Sequence, residues 1–276
     1  MSRRLGVTPG QTPRPRPGIA TSLARGERIV VAAGLVTLTL LSWLYLVALA
    51  DAMDAMRGGG DTAFMGLMPM GRWGAIELAL CFAMWFVMMV AMMVPSAAPM
   101  LFAFHSLSRS RLGRERTGRR FAAFLLGYFF VWSAFSFLAT GAQWGLHEAA
   151  IVTDLMTSAS STLDAVLLLG AGLYQFAPMK HVCLSRCRTP LGFLLTEWRD
   201  GTRGALVMGL RHGAFCVGCC WALMALLFVG GVMNLLWIAA LGAAVLVEKV
   251  LPFGVMSARI AGLGMLAGGL WILWAA

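Results

Sequence analysis

Three cysteines and a histidine lie close together in one apolar segment, RHGAFCVGCCWAL, which covers residues 211–223. On an α-helix each residue advances by about 100°, so His212, Cys216, Cys219 and Cys220 share one arc of roughly 100°. The rise from His212 to Cys220 is about 12 Å, so adjacent members can bind one ion and the two extremes cannot. Thiolate and imidazole suit Cu(I) or Zn(II). The spacing therefore predicts a soft-metal site built on Cys216 with Cys219 or Cys220, and on His212 one turn away.

A second set of soft ligands, His181, Cys183 and Cys187, follows Pro178 in the segment YQFAPMKHVCLSRCRTP. Proline ends the preceding apolar helix, so this set is expected on the same side as the beginning of the next one. Two incomplete ligand sets on one side predict a composite site. Together they offer five thiols and two imidazoles. That number fits two ions, or one ion that passes between two positions.

A methionine-rich stretch, MWFVMMVAMMVPSAAPM, offers thioether ligands near these clusters. Met84, Met88 and Met92 lie on one helical face at i, i+4 and i+8, and Met89 and Met93 form a neighbouring row. Thioethers bind Cu(I) and suit its stepwise transfer, although methionine also packs well in any apolar core. Beside two Cys/His clusters, we interpret Met88 and Met92 as candidate ligands.

Charged residues near the candidate site have simpler interpretations. Glu248 and Lys249 are expected to snorkel to the membrane boundary, with a ligand or proton-acceptor role for Glu248 as the alternative. Lys180, Arg186 and Arg188 are expected to be topological anchors on the cytoplasmic side. The segment LGFLLTEW that follows them is a candidate for a short amphipathic helix in the interface, where it could cover the site.

These residues must be held by apolar helices, because the composition is that of a membrane protein. Of the 276 residues, 59% are hydrophobic and 12% are charged, and the mean hydropathy is +0.79. These values exclude an ordinary soluble globular domain. The net charge of +10 does not indicate nucleic-acid binding, since the 22 Lys and Arg residues are grouped between apolar runs. We therefore expect the lipid bilayer as a partner and no nucleic acid.

Seven apolar runs predict an all-α, polytopic membrane helix bundle with about seven transmembrane helices. The runs cover residues 29–50, 75–102, 121–142, 163–178, 211–231, 232–250 and 257–276. Residues 1–28 are rich in proline and arginine and predict a disordered basic cytoplasmic tail, which leaves 29–276 as the transmembrane domain. The first run is long enough to be a retained helix, with a cleaved signal peptide as the alternative. Gly264 and Gly268 form a G-x-x-x-G motif in the last run, which predicts close helix packing within the monomer or in a homodimer.

Basic residues alternate between the two sides of the predicted bundle. The N-terminal tail and the segment 103–120 have six each and 179–204 has five, whereas 51–74 has two and 143–162 has none. The positive-inside rule therefore predicts a cytoplasmic N-terminus. It also predicts that the Cys/His clusters lie near the cytoplasmic face of a bacterial inner membrane.

Three motifs in the chain are similar to those of a known membrane family. They are MMVAMMVPSAAPM, GLYQFAPMKHVCLSRCRTP and RHGAFCVGCCWALMALLFVGGVMNLLWIAAL…EK. Over roughly residues 75–275 the chain resembles the bacterial family catalogued as domain of unknown function 2182, described as predicted metal-binding integral membrane proteins. The resemblance implies a polytopic inner-membrane protein with a metal site, and it implies no particular reaction. The matching residues are His181, Cys183, Cys187, His212, Cys216, Cys219 and Cys220.

The two Cys/His clusters and the methionine face predict a protein that binds a soft metal, with copper expected first and zinc as the alternative. Its expected role is metal transport or delivery, with a metallochaperone or a metalloprotein client as partner. One alternative is a membrane thiol–disulfide oxidoreductase that uses the pairs Cys216–Cys219 and Cys183–Cys187. The other is a non-catalytic membrane assembly partner in which the cysteines are bystanders.

Overall fold

The computed structural model describes residues 17–57, 73–112, 114–149 and 160–275, and within these ranges it contains helices and no strand. The all-α class is therefore confirmed. The helices are α1 (Pro17–Arg57), α2 (Ala75–Leu112), α3 (Arg114–Glu148), α4 (Ser161–Tyr174), α5 (Pro178–Arg188), α6 (Pro190–Glu197), α7 (Gly201–Ala225), α8 (Leu227–Gly230), α9 (Leu235–Val250) and α10 (Gly254–Ala275).

Five helices within the described ranges are long and apolar enough to cross a membrane: α1, α2, α3, α7 and α10. The helices α4 and α5 meet at a 65° bend and supply a sixth span if they are counted as one. The apolar run 232–250 forms α9, which has 16 residues. A helix of that length is about 24 Å long, shorter than the roughly 30 Å of a bilayer's hydrocarbon core. The count of about seven spans stays a prediction.

Several helices continue beyond the apolar runs that predict them. Both α2 and α3 extend into the basic segment 103–120, which the hydropathy pattern indicates as a loop. The basic segment 179–204 holds α5, α6 and the beginning of α7, and α6 coincides with the expected short amphipathic helix. The first helix begins at Pro17, inside the expected tail, and residues 1–16 lie outside the described ranges.

The cysteine-bearing helix α7 packs directly on the backbone of α3. A Cβ atom at Gly209 of α7 would collide with the carbonyl oxygen of Phe124, and one at Gly127 of α3 would collide with that of Leu206. Gly213, four residues after Gly209, also faces α3. This pair is a G-x-x-x-G motif, and small residues of this kind let two helix backbones approach closely.

The last helix, α10, packs on α4 through glycines other than those of the predicted motif. A Cβ atom at Gly262 would lie 2.8 Å from the Gln175 side chain, and one at Gly269 would lie 2.7 Å from the Leu169 side chain. At Gly264 a Cβ atom would meet nothing within 4 Å. Close packing inside the monomer therefore uses Gly262 and Gly269, and the homodimer stays a prediction.

Candidate metal site

The two cysteine-bearing segments meet in the interior of the bundle. The side chain of Cys187 on α5 lies beside that of Cys219 on α7. Cys220 lies beside both Cys216 and Cys219. The three thiols of α7 are each only 1% exposed, and Cys187 is half-buried. These four side chains form one continuous group, which we call the thiol cluster.

Local helix geometry explains how the chain brings these thiols together. Cys216, Cys219 and Cys220 lie at i, i+3 and i+4 and share one face of α7. The thiols of Cys219 and Cys220 donate hydrogen bonds to the Cys216 carbonyl oxygen at 3.1 Å and 3.0 Å. Pro178 is the first residue of α5, after the 65° bend. Proline suits this first helical position, because an N–H group there would have no partner within the helix. The bend directs α5 towards α7, so that Cys187 reaches Cys219.

Met93 is the methionine that contacts the thiol cluster. The Cys220 thiol donates to the Met93 Sδ atom at 3.9 Å. Met92, which the sequence predicts as a ligand, lies instead against α9, where a Cβ atom at Gly242 would be 3.4 Å from its Cγ atom. Met88, the other predicted ligand, is buried in the apolar core. The neighbouring methionine row thus faces the thiols.

A buried lysine that the sequence pattern does not include in the site lies against the thiol cluster. The Lys249 Nζ atom is 3.0 Å from the Cys216 Sγ atom, 3.1 Å from the Ser96 Oγ atom and 3.9 Å from the Met93 Sδ atom. Only 6% of Lys249 is exposed, so the expectation that it snorkels to the boundary is wrong. A buried ammonium requires an opposite charge, and the Cys216 sulfur can supply it as a thiolate.

The neighbouring Glu248 is also buried and belongs to an ion pair between α9 and α5. Its carboxylate accepts hydrogen bonds from Lys180 at 2.6 Å and from Gln175 at 3.2 Å. Arg188 donates to the Glu248 carbonyl oxygen at 2.6 Å. Lys180 is 1% exposed, so its expected role as a boundary anchor is wrong. The ion pair connects the two helices that border the thiol cluster.

His212 lies one turn from Cys216 among aromatic side chains. Its ring centroid is 5.6 Å from that of Phe193, 5.7 Å from that of Tyr128 and 6.0 Å from that of Phe124. The Tyr128 hydroxyl is hydrogen-bonded to the Cys216 sulfur at 3.2 Å. Within the described ranges, the buried Nδ1 atom of His212 has no hydrogen-bond partner. This nitrogen is therefore free to bind a ligand.

Of the two remaining predicted ligands, Cys183 lies at the border of the thiol cluster. Cys183 is half-buried, and its thiol rests on the backbone of Gly218, where a Cβ atom would lie 2.8 Å from the Cys183 sulfur. His181 is half-buried two residues earlier on α5. In the part of the chain that the structure describes, no hydrogen bond joins the His181 side chain to the thiols.

The thiols of α7 lie near the centre of a candidate span. The helix begins at Gly201, which places Cys216 about 22 Å of helix rise from that end, and the span continues to Gly230. The hydropathy pattern begins this helix at Arg211, which would put the cysteines close to the end. Because Arg211 is paired with Glu197 on α6, its charge does not end the helix.

The chemistry of the donor atoms fits a soft metal ion. The cluster offers thiol sulfurs, with the Met93 thioether beside them and the unpartnered His212 nitrogen one helical turn from Cys216, and such ligands favour Cu(I) over hard ions. Among the described residues, no group of three or more His, Cys, Asp or Glu side chains is arranged to hold an ion as it stands. The thiols of Cys219 and Cys220 donate to the Cys216 carbonyl oxygen, so a bound ion would replace these hydrogen bonds.

The fold and the thiol cluster define a class of protein, in which apolar helices surround a buried group of cysteines. The sequence model of the PpoB2 family, described as copper chaperone, matches residues 82–272. Because this match covers more than half of the chain, the protein belongs to the PpoB2 copper chaperone family. No curated protein and no solved structure matches the chain. The family supports the metal-related class that the sequence resemblance implies, and it supports copper as the metal.

Proposed function

We propose that this protein binds Cu(I) at the thiol cluster and delivers it to a metalloprotein client. One observation carries the proposal: thiols from two helices meet in an apolar interior beside a thioether sulfur. Soft sulfur ligands suit Cu(I), and membership of a copper chaperone family supports this choice of cargo. In this proposal the copper ion is a substrate that arrives and leaves.

The charges around the thiol cluster support a monovalent cargo. A Cu(I) ion bound by two thiolates has a net charge of −1, and the Lys249 ammonium next to Cys216 neutralises it. A Zn(II) ion reaches the same net charge of −1, which Lys249 would neutralise, only when it is bound by three thiolates. Copper therefore needs fewer deprotonated thiols in the apolar interior than zinc, the alternative ion.

We place the protein in a membrane, with the bacterial inner membrane as the proposed location. Five apolar helices support membrane insertion. The basic segments support a cytoplasmic N-terminus, and a metallochaperone on that side is the proposed copper donor. A homodimer through the open side of α10 at Gly264 is part of the same proposal.

The rival function, a thiol–disulfide oxidoreductase, makes a different use of the cysteines. Its sequence-derived pairs, Cys216–Cys219 and Cys183–Cys187, lie within single helices. The contact between helices joins Cys187 to Cys219 instead. This arrangement suits an ion held between helices, and the copper chaperone family favours metal handling over redox catalysis.

The proposal is tested by the copper content of protein purified without oxygen in detergent and exposed to Cu(I). The double variant Cys187→Ser/Cys219→Ser removes one thiol from each helix. The matched control is Cys81→Ser, because the Cys81 thiol is buried and hydrogen-bonded to Thr140. We expect near-stoichiometric copper in the native and control proteins and its loss in the double variant. Copper retained by the double variant, or absent from the native protein, would contradict the proposal.

A further inference from the structure

Cys183 has a different environment from the four thiols of the cluster. It lies one helical turn before Cys187 on α5 and is half-buried. Its sulfur rests against Gly218, the residue that precedes Cys219 in α7. Cys183 is therefore next to the cluster, on the side where α5 borders α7.

A groove of about 500 Å³ lies between α4 and α7 beside this position. Its walls are apolar and include Tyr174, Ala177 and Trp221. The Tyr174 hydroxyl donates to the Gly218 carbonyl oxygen at 2.5 Å, and the Tyr174 ring is 5.2 Å from that of Trp221. Tyr174 thus connects the groove to the backbone on which the Cys183 thiol rests.

On the basis of the proposed copper function, we propose that Cys183 is the exchange ligand of this protein. It receives Cu(I) from the donor and passes it to Cys219 of the thiol cluster, and it returns the ion by the same steps in reverse. The placement supports this role, because the half-buried Cys183 thiol lies against Gly218, the residue before the buried Cys219. The carbonyl oxygen of Gly218 accepts a hydrogen bond from Tyr174 in the wall of the groove. The stored ion is held by the cluster and not by Cys183.

Each transfer step exchanges one copper–sulfur bond for another. In the first step a bond forms between Cu(I) and the Cys183 sulfur while the bond to the donor sulfur breaks, and the Cys183 proton moves to the departing thiolate. In the second step Cu(I) bonds to Cys219 and leaves Cys183, and the Cys219 proton passes to Cys183. Copper stays monovalent throughout, so no oxidant or reductant is needed.

Gly218 offers a way to move the Cys183 thiol without removing it. A Cβ atom at this position would be 2.8 Å from the Cys183 sulfur and 3.5 Å from its Cβ atom. The variant Gly218→Ala therefore forces the thiol away while every sulfur is kept. Gly141→Ala is the matched control, because Gly141 is exposed on α3 and a Cβ atom there meets nothing within 4 Å.

The test measures two quantities for each variant: copper bound at equilibrium, and the rate of Cu(I) transfer from the loaded protein to the chelator bicinchoninate. We expect Cys183→Ser and Gly218→Ala to keep their copper and to transfer it roughly tenfold more slowly or worse, since a positioned intermediate ligand is lost. Cys81→Ser and Gly141→Ala should transfer copper at the native rate.

The outcomes separate this inference from the function on which it rests. Native transfer rates in a Cys183→Ser protein that keeps its copper would overturn the exchange role and leave copper binding intact. Loss of copper in Cys183→Ser would also overturn it, because Cys183 would then be a ligand of the stored ion. A native protein that binds no copper would refute the proposed function itself. If Gly218→Ala fails to fold, Cys183→Ser alone decides.

Discussion

The charge balance of the thiol cluster depends on the contact between Lys249 and Cys216. The two groups are 3.0 Å apart in an apolar interior, where an ammonium stabilises a thiolate strongly. The Tyr128 hydroxyl is hydrogen-bonded to the same sulfur at 3.2 Å. Thiolate is the form of cysteine that binds metal. Of the four thiols in the cluster, Cys216 therefore has the surroundings that most favour the metal-binding thiolate form.

Replacing Lys249 by methionine removes the cation that balances this thiolate. Truncating one partner of a buried charge pair costs about 2–5 kcal/mol, so we expect Lys249→Met to weaken Cu(I) binding by at least about tenfold. Competition with a Cu(I) chelator measures the affinity. Lys249→Arg keeps the charge and should keep more of the affinity. Tighter binding by Lys249→Met would mean that the ammonium competes with copper, contrary to this expectation.

Substituting His212 by phenylalanine distinguishes the contribution of its imidazole nitrogen from that of its aromatic packing. His212→Phe keeps a ring beside Phe124, Tyr128 and Phe193 and removes the unpartnered Nδ1 atom. We expect the melting temperature to change little and Cu(I) affinity to fall roughly tenfold through the loss of a ligand. Equal affinities in the native and variant proteins would show that His212 serves packing alone.

The residues of the site differ in how far the sequence predicts them. The spacing of Cys216, Cys219 and Cys220 predicts one shared face from helix geometry alone. Met93 and Lys249 contact the thiols because of the orientation of α2 and α9 about their helix axes. A helix that is apolar on every side carries little information about that rotation, and so the spacing of the methionines does not single out Met93.

At the scale of helices, the contact between α3 and α7 holds the cysteine-bearing helix in position. Glycines on both helices allow their backbones to touch, and such packing stabilises helix pairs within membranes. The ion pair of Lys180 and Glu248 fixes α5 to α9 in the same region. The two helices that carry the thiol cluster, α7 and α5, are thus each held by a separate contact.

A methyl group at Gly209 should disturb this arrangement without touching a sulfur. In Gly209→Ala the new Cβ atom would collide with the carbonyl oxygen of Phe124, and overpacking of this kind costs about 1–3 kcal/mol. We expect thermal unfolding in detergent at a lower temperature than for the native protein. Gly141→Ala, where the new Cβ atom meets nothing within 4 Å, should unfold at the native temperature or above it. Equal stability of Gly209→Ala would contradict the close α3–α7 contact.

Hydropathy predicts the centres of the long helices better than their ends. Apolar runs locate α2 and α3, but both helices continue through the arginine-rich segment 103–120, because a helix needs no apolar surroundings where water is available. The helices α5 and α6 are too short to stand out by hydropathy, and α5 is also polar. For this reason the sequence indicates a basic segment where the structure has the helix that carries Cys187.

At the scale of the whole molecule, apolar side chains cover the outside while the charged Lys180, Lys249 and Glu248 are buried inside. Large apolar residues such as Phe137, 71% exposed, and Leu236, 80% exposed, lie on the surface. Exposed apolar area on this scale is unfavourable in water and is expected of helices that face lipid. The arrangement suits a protein that carries a charged ion through an apolar environment.

This outer surface predicts that the protein stays in the membrane after an alkaline wash and leaves it only with detergent. A peripheral membrane protein from the same preparation serves as the control and should be released by the wash. Recovery of the protein in the alkaline supernatant would contradict membrane insertion by the five apolar helices.

The claim that copper is held by sulfur from both α5 and α7 is tested most directly by copper X-ray absorption on the protein loaded without oxygen. We predict a Cu(I) edge and a first shell dominated by sulfur. The number of sulfur neighbours should fall in Cys187→Ser and in Cys219→Ser and stay unchanged in Cys81→Ser. A first shell of nitrogen and oxygen, insensitive to both cysteine substitutions, would contradict the proposed site.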